Sequence, residues 1–302
     1  PIIGNSKISI IMILKYGSKG KKVQELQEFL CISSDGHFGP GTEAAVKIWQ
    51  KENNLVADGI VGPATWGAMG LATTDNSEAQ YETPNGLTVH RHMLPIGEYM
   101  TGSKPEYVFL HHTAGWHNPF RTVDHWGRDN RGKVATEFVL GGQSIKGNDD
   151  EYDGVLVQCT PEGGWGWHLG TGRSHMHKNS VGIEVNNFGW IKDGKTYAGT
   201  KAAESQLVTL DQPFRGYKTW HRYSDKQIEV LRDWILWIGE RDNIDVREGL
   251  PKLIKSVGAD AFEYIEDVRA GKLKGLWTHT NVRKDKVDMF PQAELMDMLV
   301  SL

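Results

Sequence analysis

An eight-residue phrase occurs twice, and it constrains the first part of the chain more than any other feature. Asp35-Gly36-His37-Phe38-Gly39-Pro40-Gly41-Thr42 is echoed by Asp58-Gly59-Ile60-Val61-Gly62-Pro63-Ala64-Thr65. In each copy Asp-Gly suits a tight turn, and Gly-Pro stops whatever precedes it. Thr42 and Thr65 are then expected to cap the helices that follow. Val23, Leu26, Gln27 and Leu30 recur at helical spacing, as do Ala45, Val46, Trp49 and Gln50. The expected product is helix, turn, helix, turn and short helix. Such a three-helix unit of about 60 residues lies near the lower limit for a chain that folds alone. It shows no catalytic constellation.

Residues 1–70 carry seven basic and six acidic residues, against 27 and 32 in the rest, for a net charge of −4. A general nucleic-acid binder would show a basic excess, so nucleic acid is not an expected partner. The apolar run 8–14 is too short to cross a membrane and lacks a small-residue cleavage site. Neither membrane insertion nor a signal peptide is expected. Residues 1–12 read as an N-terminal extension, with Met12 the expected natural start. Residues 72–86 are polar and weakly patterned, the composition of a linker. Domains are therefore expected over 13–71 and 87–302. Cys31 and Cys159 cannot build a disulfide framework and read as two buried free thiols.

The second part mixes strand and helix patterns. Tyr107-Val108-Phe109-Leu110 is a short β-rich run ending at His111-His112. Residues 135–142, 155–159 and 181–185 read as further strands, with Glu184 inside the last apolar run. Helices are expected over 224–241, where Ile228, Leu231, Ile235 and Ile238 repeat at helical spacing, and near 250–270. This alternation argues an α/β layer fold. Residues 190–213 read as an inserted Gly- and Lys-rich loop with little core pattern. Five His-bearing segments compete as metal sites: His90-Arg91-His92, His111-His112, His125, His175-Met176-His177 and His279. No HExxH occurs, so helix-borne metalloprotease chemistry has no support. Trp116, Trp126, Trp165, Trp167 and Trp190 offer flat faces for stacking on sugar or peptide.

Two resemblances narrow these readings. Tyr16-Gly17-Ser18-Lys19-Gly20, then Val23, Leu26-Gln27, Leu30 and the two Asp-Gly-x-x-Gly-Pro motifs resemble the peptidoglycan-binding domain type 1 family over 13–70. The resemblance implies cell-wall binding, with Asp35, Gly36, Phe38, Gly39, Asp58, Gly59 and Gly62 as motif residues. Farther on, Tyr107 to Gly115 looks like the opening strand of type 2 N-acetylmuramoyl-L-alanine amidases, which share a fold with peptidoglycan recognition proteins. Trp167-His168-Leu169-Gly170, Asn179-Ser180-Val181-Gly182-Ile183-Glu184, Thr278-His279 and Lys286-Val287-Asp288 follow in the family's order. The implied fold class is α/β: a central mixed β-sheet flanked by helices, preceded by a small all-α three-helix domain.

Carried over residue by residue, the resemblance puts one catalytic Zn2+ on His111, His279 and Asp288. Three protein ligands leave a fourth position open, as catalytic zinc requires. Glu184 would serve as general base and then acid, and Lys286 would stabilise the developing oxyanion. His168, Trp167, His112, Thr136 and Asn179 are implied as substrate-binding residues. Thr136 stands where many relatives carry Tyr, and the adjacent Glu137 is a candidate pocket carboxylate. Asp288 replaces the Cys of some relatives, giving a harder site. The whole resembles a modular phage endolysin, a monomer made in the host cytoplasm that reaches bacterial peptidoglycan with the help of a separate holin. The expected reaction is hydrolysis of the amide between the MurNAc lactyl group and L-Ala. A catalytically inactive recognition protein and a zinc peptidase cutting within the stem peptide are the rivals.

Overall fold

A computed structural model describes residues 14–53, 55–69, 80–95, 97–128, 131–170, 172 and 174–302. The extension 1–12 and residues 72–79 of the expected linker lie outside the described residues. The chain divides into two compact units, Pro1–Asn76 and Ser77–Leu302.

The first unit holds three helices, α1 (Lys21–Phe29), α2 (Pro40–Glu52) and α3 (Pro63–Ala68). Val23, Leu26, Phe38, Val46, Val61 and Trp66 form its small core. The repeated phrase is structural, and a buried glutamine explains it. The Gln27 amide nitrogen lies 2.7 Å from Asp35 Oδ1 and 3.0 Å from both the His37 carbonyl and Thr42 Oγ1. Its carbonyl accepts the Gly36 N–H at 2.8 Å. Gln50 repeats the pattern on Asp58, Ile60, Thr65 and Gly59, at 2.9–3.0 Å. Gly36 and Gly59 sit at φ +71° and +77°, conformations that L side chains rarely adopt.

The threonines do not cap the helices. Pro40 takes the first helical position and Gly39 the cap, so Thr42 falls inside α2 with its hydroxyl turned to Gln27. Cys31 is exposed, because it follows the end of α1 in a left-handed conformation at φ 53°. Cys159 is buried as expected.

In the second unit a seven-stranded mixed sheet runs in the order β1-β2-β5-β4-β6-β3-β10. Its strands are β1 (Gln80–Glu82), β2 (Thr88–Arg91), β3 (Tyr107–His112), β4 (Phe138–Leu140), β5 (Leu156–Gln158), β6 (Ser180–Val185) and β10 (Gly275–Thr278). Strands β10, β3, β6 and β4 are parallel neighbours. Every residue of β3 is buried, which suits a central strand covered on both faces. Strand β1 falls inside the segment read as linker. Tyr81 is the cause: it packs against the core, and its hydroxyl donates to Gln158 at 2.9 Å.

The helices are α4 (Pro119–Trp126), α5 (Ser174–Lys178), α6 (Asp225–Asp242), α7 (Leu250–Val257), α8 (Glu266–Arg269), α9 (His279–Val282) and α10 (Ala293–Val300). Ser224 and Gln227 form a reciprocal capping box on α6. Trp234 and Trp237 of that helix meet Phe138 edge-on, fixing α6 to the sheet. The expected helix near 250–270 is broken into α7, a short 3-10 turn and α8, because Gly258 ends α7 at φ 60°.

Residues 190–213 are not a loose loop. Strands β7 (Trp190–Ile191), β8 (Leu207–Phe214) and β9 (Tyr217–His221) form a second sheet in the order β7-β9-β8. Phe214 pairs with Tyr217 across the two-residue turn Arg215-Gly216, both at positive φ. No helix among the described residues is long and apolar enough to cross a membrane.

Candidate metal centre

The parallel register builds the site. Strand β3 pairs with β6 so that His111 stands beside Glu184. Strand β10 pairs with β3 so that Thr278 stands beside Leu110. The next residue, His279, opens α9 and therefore reaches the same strand ends. Asn281 holds that turn, accepting from the Thr278 N–H at 2.9 Å and donating to the Ala261 and Glu263 carbonyls at 2.8 Å. Asp288 arrives from the following segment. One ligand atom from each of His111, His279 and Asp288 lies within 4.8 Å of the others, and all three residues are buried. The carboxyl ends of parallel strands are the usual place for a site in an α/β sheet.

Hydrogen bonds fix which ring nitrogens face one another. Ser180 Oγ donates to the His177 carbonyl at 3.3 Å, so it accepts from His168 Nε2 at 2.8 Å. His168 Nδ1 then accepts from His111 Nε2 at 3.0 Å. That leaves a lone pair on His111 Nδ1, a buried atom without a hydrogen-bond partner, 3.5 Å from Asp288 Oδ2. His279 Nε2 donates to the Leu169 carbonyl at 3.0 Å, and its Nδ1 lies 3.0 Å from the same carboxylate oxygen. His111 Nδ1, His279 Nδ1 and one Asp288 oxygen thus converge. A cation is the partner such a set fits, and two His with one Asp suit zinc.

Burial favours the neutral form of His111 and His168. Burial pushes His111 down to about 4 against the pull of Asp288, and pushes His168 well below the usual range. Burial also presses the Asp288 carboxyl upward, but His279 and His111 outweigh it and hold the group well below its ordinary value. Glu184 has no such partner. Its Oε2 is buried and unbonded, and burial, reinforced by Asp288, raises its carboxyl well above the ordinary range while Lys286 opposes the rise.

Glu184 lines a cavity of about 860 Å³. Trp116, Arg121 and Tyr197 are among its walls. Trp116 is 47% exposed, meets Phe188 edge-on and carries Lys146 over its ring. Tyr197 donates its hydroxyl to the Ala114 carbonyl at 2.8 Å, bringing the inserted segment to the rim. A larger cavity of about 1180 Å³ lies at the opposite, N-terminal end of β10. Its three lysines are each paired with an acid, Lys252 with Glu248, Lys272 with Asp267 and Lys274 with Glu106. Of these two cavities, the smaller is the one that Glu184 lines.

Of the residues expected to touch substrate, several sit elsewhere. His112 alternates to the other face of β3, where Tyr223 Oη lies 2.8 Å from its Nδ1. Thr136 is buried, donating to the Phe138 carbonyl at 2.7 Å. Asn179 precedes β6, at the far end of that strand from Glu184, and its side chain meets His175. Trp167 packs edge-on against Trp165 and His177. His168 supports His111 from behind. Glu137 is not a pocket carboxylate: Arg241 grips both its oxygens, at 2.8 and 3.0 Å. Arg121 and Tyr197 escape sequence reading, since neither lies in a repeated or periodic segment. The Asn118-Pro119 helix start before Arg121 is the one signal available.

The N-acetylmuramoyl-L-alanine amidase family matches residues 101–259, more than half of the chain. The chain belongs to that family. The putative peptidoglycan binding domain family matches residues 19–69. His279 and Asp288 fall beyond the matched amidase segment, so the geometry alone joins them to His111. A zinc D-Ala-D-Ala carboxypeptidase of Streptomyces albus G is 43% identical over 61 residues, 18% of this chain and 24% of that protein. An uncharacterized protein of Kitasatospora aureofaciens is 48% identical over 50 residues, 17% and 38% of the two chains. The chain thus spans well under half the length of these relatives. Among solved structures, PlyL is 13% identical with a TM-score of 0.37, covering 65% of this chain and 85% of that one. The endolysin of Burkholderia phage AP3 is 32% identical with a TM-score of 0.19, covering 26% and 29%. Within this amidase-family chain, His111 and Glu184 stand on parallel strands and His279 opens α9, while α4, loops and the inserted segment supply the cavity wall.

Proposed function

We propose that this chain is a zinc-dependent N-acetylmuramoyl-L-alanine amidase that hydrolyses the amide between the MurNAc lactyl group and L-Ala of peptidoglycan. The observation that carries the reading is the convergence of His111 Nδ1, His279 Nδ1 and Asp288 Oδ2 beside Glu184, whose buried Oε2 has no hydrogen-bond partner. His111, His279 and Asp288 would hold the zinc ion. Bound there, zinc supplies Lewis acidity and activation of water at neutral pH.

The chain's own residues account for the proton transfers. Glu184 takes a proton from the attacking water and passes it to the leaving amide nitrogen, so the C–N bond breaks with a neutral amine as product. Burial among apolar strand neighbours keeps the glutamyl proton affinity high enough for both transfers. Lys286 faces the charge that develops on the carbonyl oxygen. The cavity beside Glu184 receives the stem peptide, with Trp116 offering a flat apolar face.

Residues 13–71 serve as a wall-binding module and Ser77–Leu302, with β1 included, as the amidase domain. Tethering to an insoluble substrate raises the local concentration seen by the second site.

The test is mass spectrometry of the products released from purified peptidoglycan, with and without a zinc chelator. Stem peptides beginning with L-Ala are expected, and they should vanish on chelation and in Glu184→Gln. Intact peptidoglycan with bound protein would leave recognition alone. Fragments cut within the stem peptide would make the chain a peptidase.

A further inference from the structure

The second sheet touches the segment that carries Asp288 at both ends. At its near end, the hairpin-tip residue Arg215 donates to the Lys284 carbonyl at 2.5 Å and lies 3.4 Å from the Thr280 carbonyl. Glu263 orients that guanidinium at 2.9 Å. At its far end, Phe290 is sandwiched between two rings. Trp220 of β9 stacks on one face, with centroids 4.5 Å apart and planes 17° apart. Tyr223 stacks on the other at 4.6 Å and 18°. The Gln292 side-chain amide closes the clasp on the Tyr223 backbone: its oxygen accepts the Tyr223 N–H at 2.8 Å and its nitrogen donates to the Tyr223 carbonyl at 3.1 Å. The Tyr223 hydroxyl also meets His112, the strand neighbour of His111.

Asp288 lies between these anchors, two residues before Phe290 and four after Lys284. Stacked rings and short main-chain bonds restrain a segment far better than exposed contacts do. Groups that hold a metal ligand in place govern affinity, and losing one typically costs 10- to 100-fold.

We infer that the β7–β9–β8 sheet is a brace for the metal centre: Arg215 and the Trp220–Phe290–Tyr223 stack are positioning residues that set where the Asp288 carboxylate stands. The inference rests on the metal reading of the site and assigns the second sheet its role there. It predicts that zinc affinity responds to residues at this contact that touch no ligand atom.

Zinc affinity of the full chain is to be measured by competition with a chromogenic chelator. Arg215→Gln leaves the core intact and is the primary variant; Phe290→Leu tests the stack. Trp190→Leu is the control, because Trp190 belongs to the same sheet but stacks on Tyr217 instead, at 4.5 Å. Thermal unfolding in excess chelator reports the metal-free stability of each variant. The expected result is a roughly 10-fold or larger rise in the zinc Kd for Arg215→Gln and Phe290→Leu, with Trp190→Leu near wild type. Unchanged affinity in a folded Arg215→Gln protein would overturn the brace while leaving the metal site standing. Equal weakening in Trp190→Leu would overturn it too, by exposing a general loss of stability. A wild-type chain that takes up no stoichiometric zinc would overturn the metal reading and the brace together.

Discussion

At the scale of single residues, proton placement rather than residue type distinguishes this site from the chain's other histidine pairs. The Ser180–His168–His111 relay points one lone pair at Asp288, and the Leu169 carbonyl turns His279 Nδ1 to the same carboxylate. Replacing His168 by Phe keeps a ring of similar size but removes the acceptor that orients His111. Zinc affinity is expected to fall 10- to 100-fold, measured by chelator competition. Glu184→Gln should behave in the opposite way. Hydrolysis is expected to drop by about 10²–10⁴-fold while zinc binding is kept, since Glu184 supplies no ligand atom to the cluster. The sequence discloses these residues because they lie on strands and strand ends, in short ordered motifs. It does not disclose Arg121 or Tyr197, which reach the cavity from a helix start and an insertion without any period of their own.

At the scale of elements, pattern reading succeeds where burial is periodic and fails where it is sparse. Helix α6 is legible because a buried stripe from Ile228 to Ile238 faces the sheet. Strand β8 buries only Leu210 and Phe214 among its eight residues and contains Pro213, so it presents neither alternation nor an apolar run. Its neighbour β9 makes the second sheet sensitive to acid. Burial pushes His221 down to about 3, and its Nδ1 accepts the Phe188 N–H at 3.1 Å. A buried neutral imidazole contributes its full stability above its unfolded value of 6.5 and loses it as pH falls toward 3, because the unfolded chain then binds the extra proton. In that window His221→Asn should flatten the pH dependence of unfolding by about one proton, on the order of 1 kcal/mol per pH unit. Denaturant titrations at stepped pH measure it.

At the scale of the whole molecule, the proposal assigns holding to the first compact unit and cutting to the second. If the first unit serves as a tether, a chain reduced to Ser77–Leu302, which keeps β1, should hydrolyse soluble muropeptides as fast as the full chain. On sedimentable cell walls it should be slower by about 10-fold or more. Release of soluble peptides from both substrates measures the ratio. Equal loss on both would show that the first unit supports folding rather than contact with the wall.

The first unit itself rests on two amides. A unit of about 60 residues has only about 3–9 kcal/mol of stability, and stranding the groups around one buried glutamine costs about 3 kcal/mol. Gln27→Ala or Gln50→Ala should therefore melt this unit well before the other, seen as a split transition in calorimetry. The spacing of those glutamines also imposes a rule of arithmetic on descent. Gln27 and Gln50 are 23 residues apart, as are Asp35 and Asp58, and each amide closes on the turn that begins eight residues later. A gain or loss of a whole period keeps every amide opposite a turn. A change of length between Gln27 and Thr42, or between Gln50 and Thr65, leaves an amide without its mate, so other natural variation in length here should fall within residues 43–49, between the two copies.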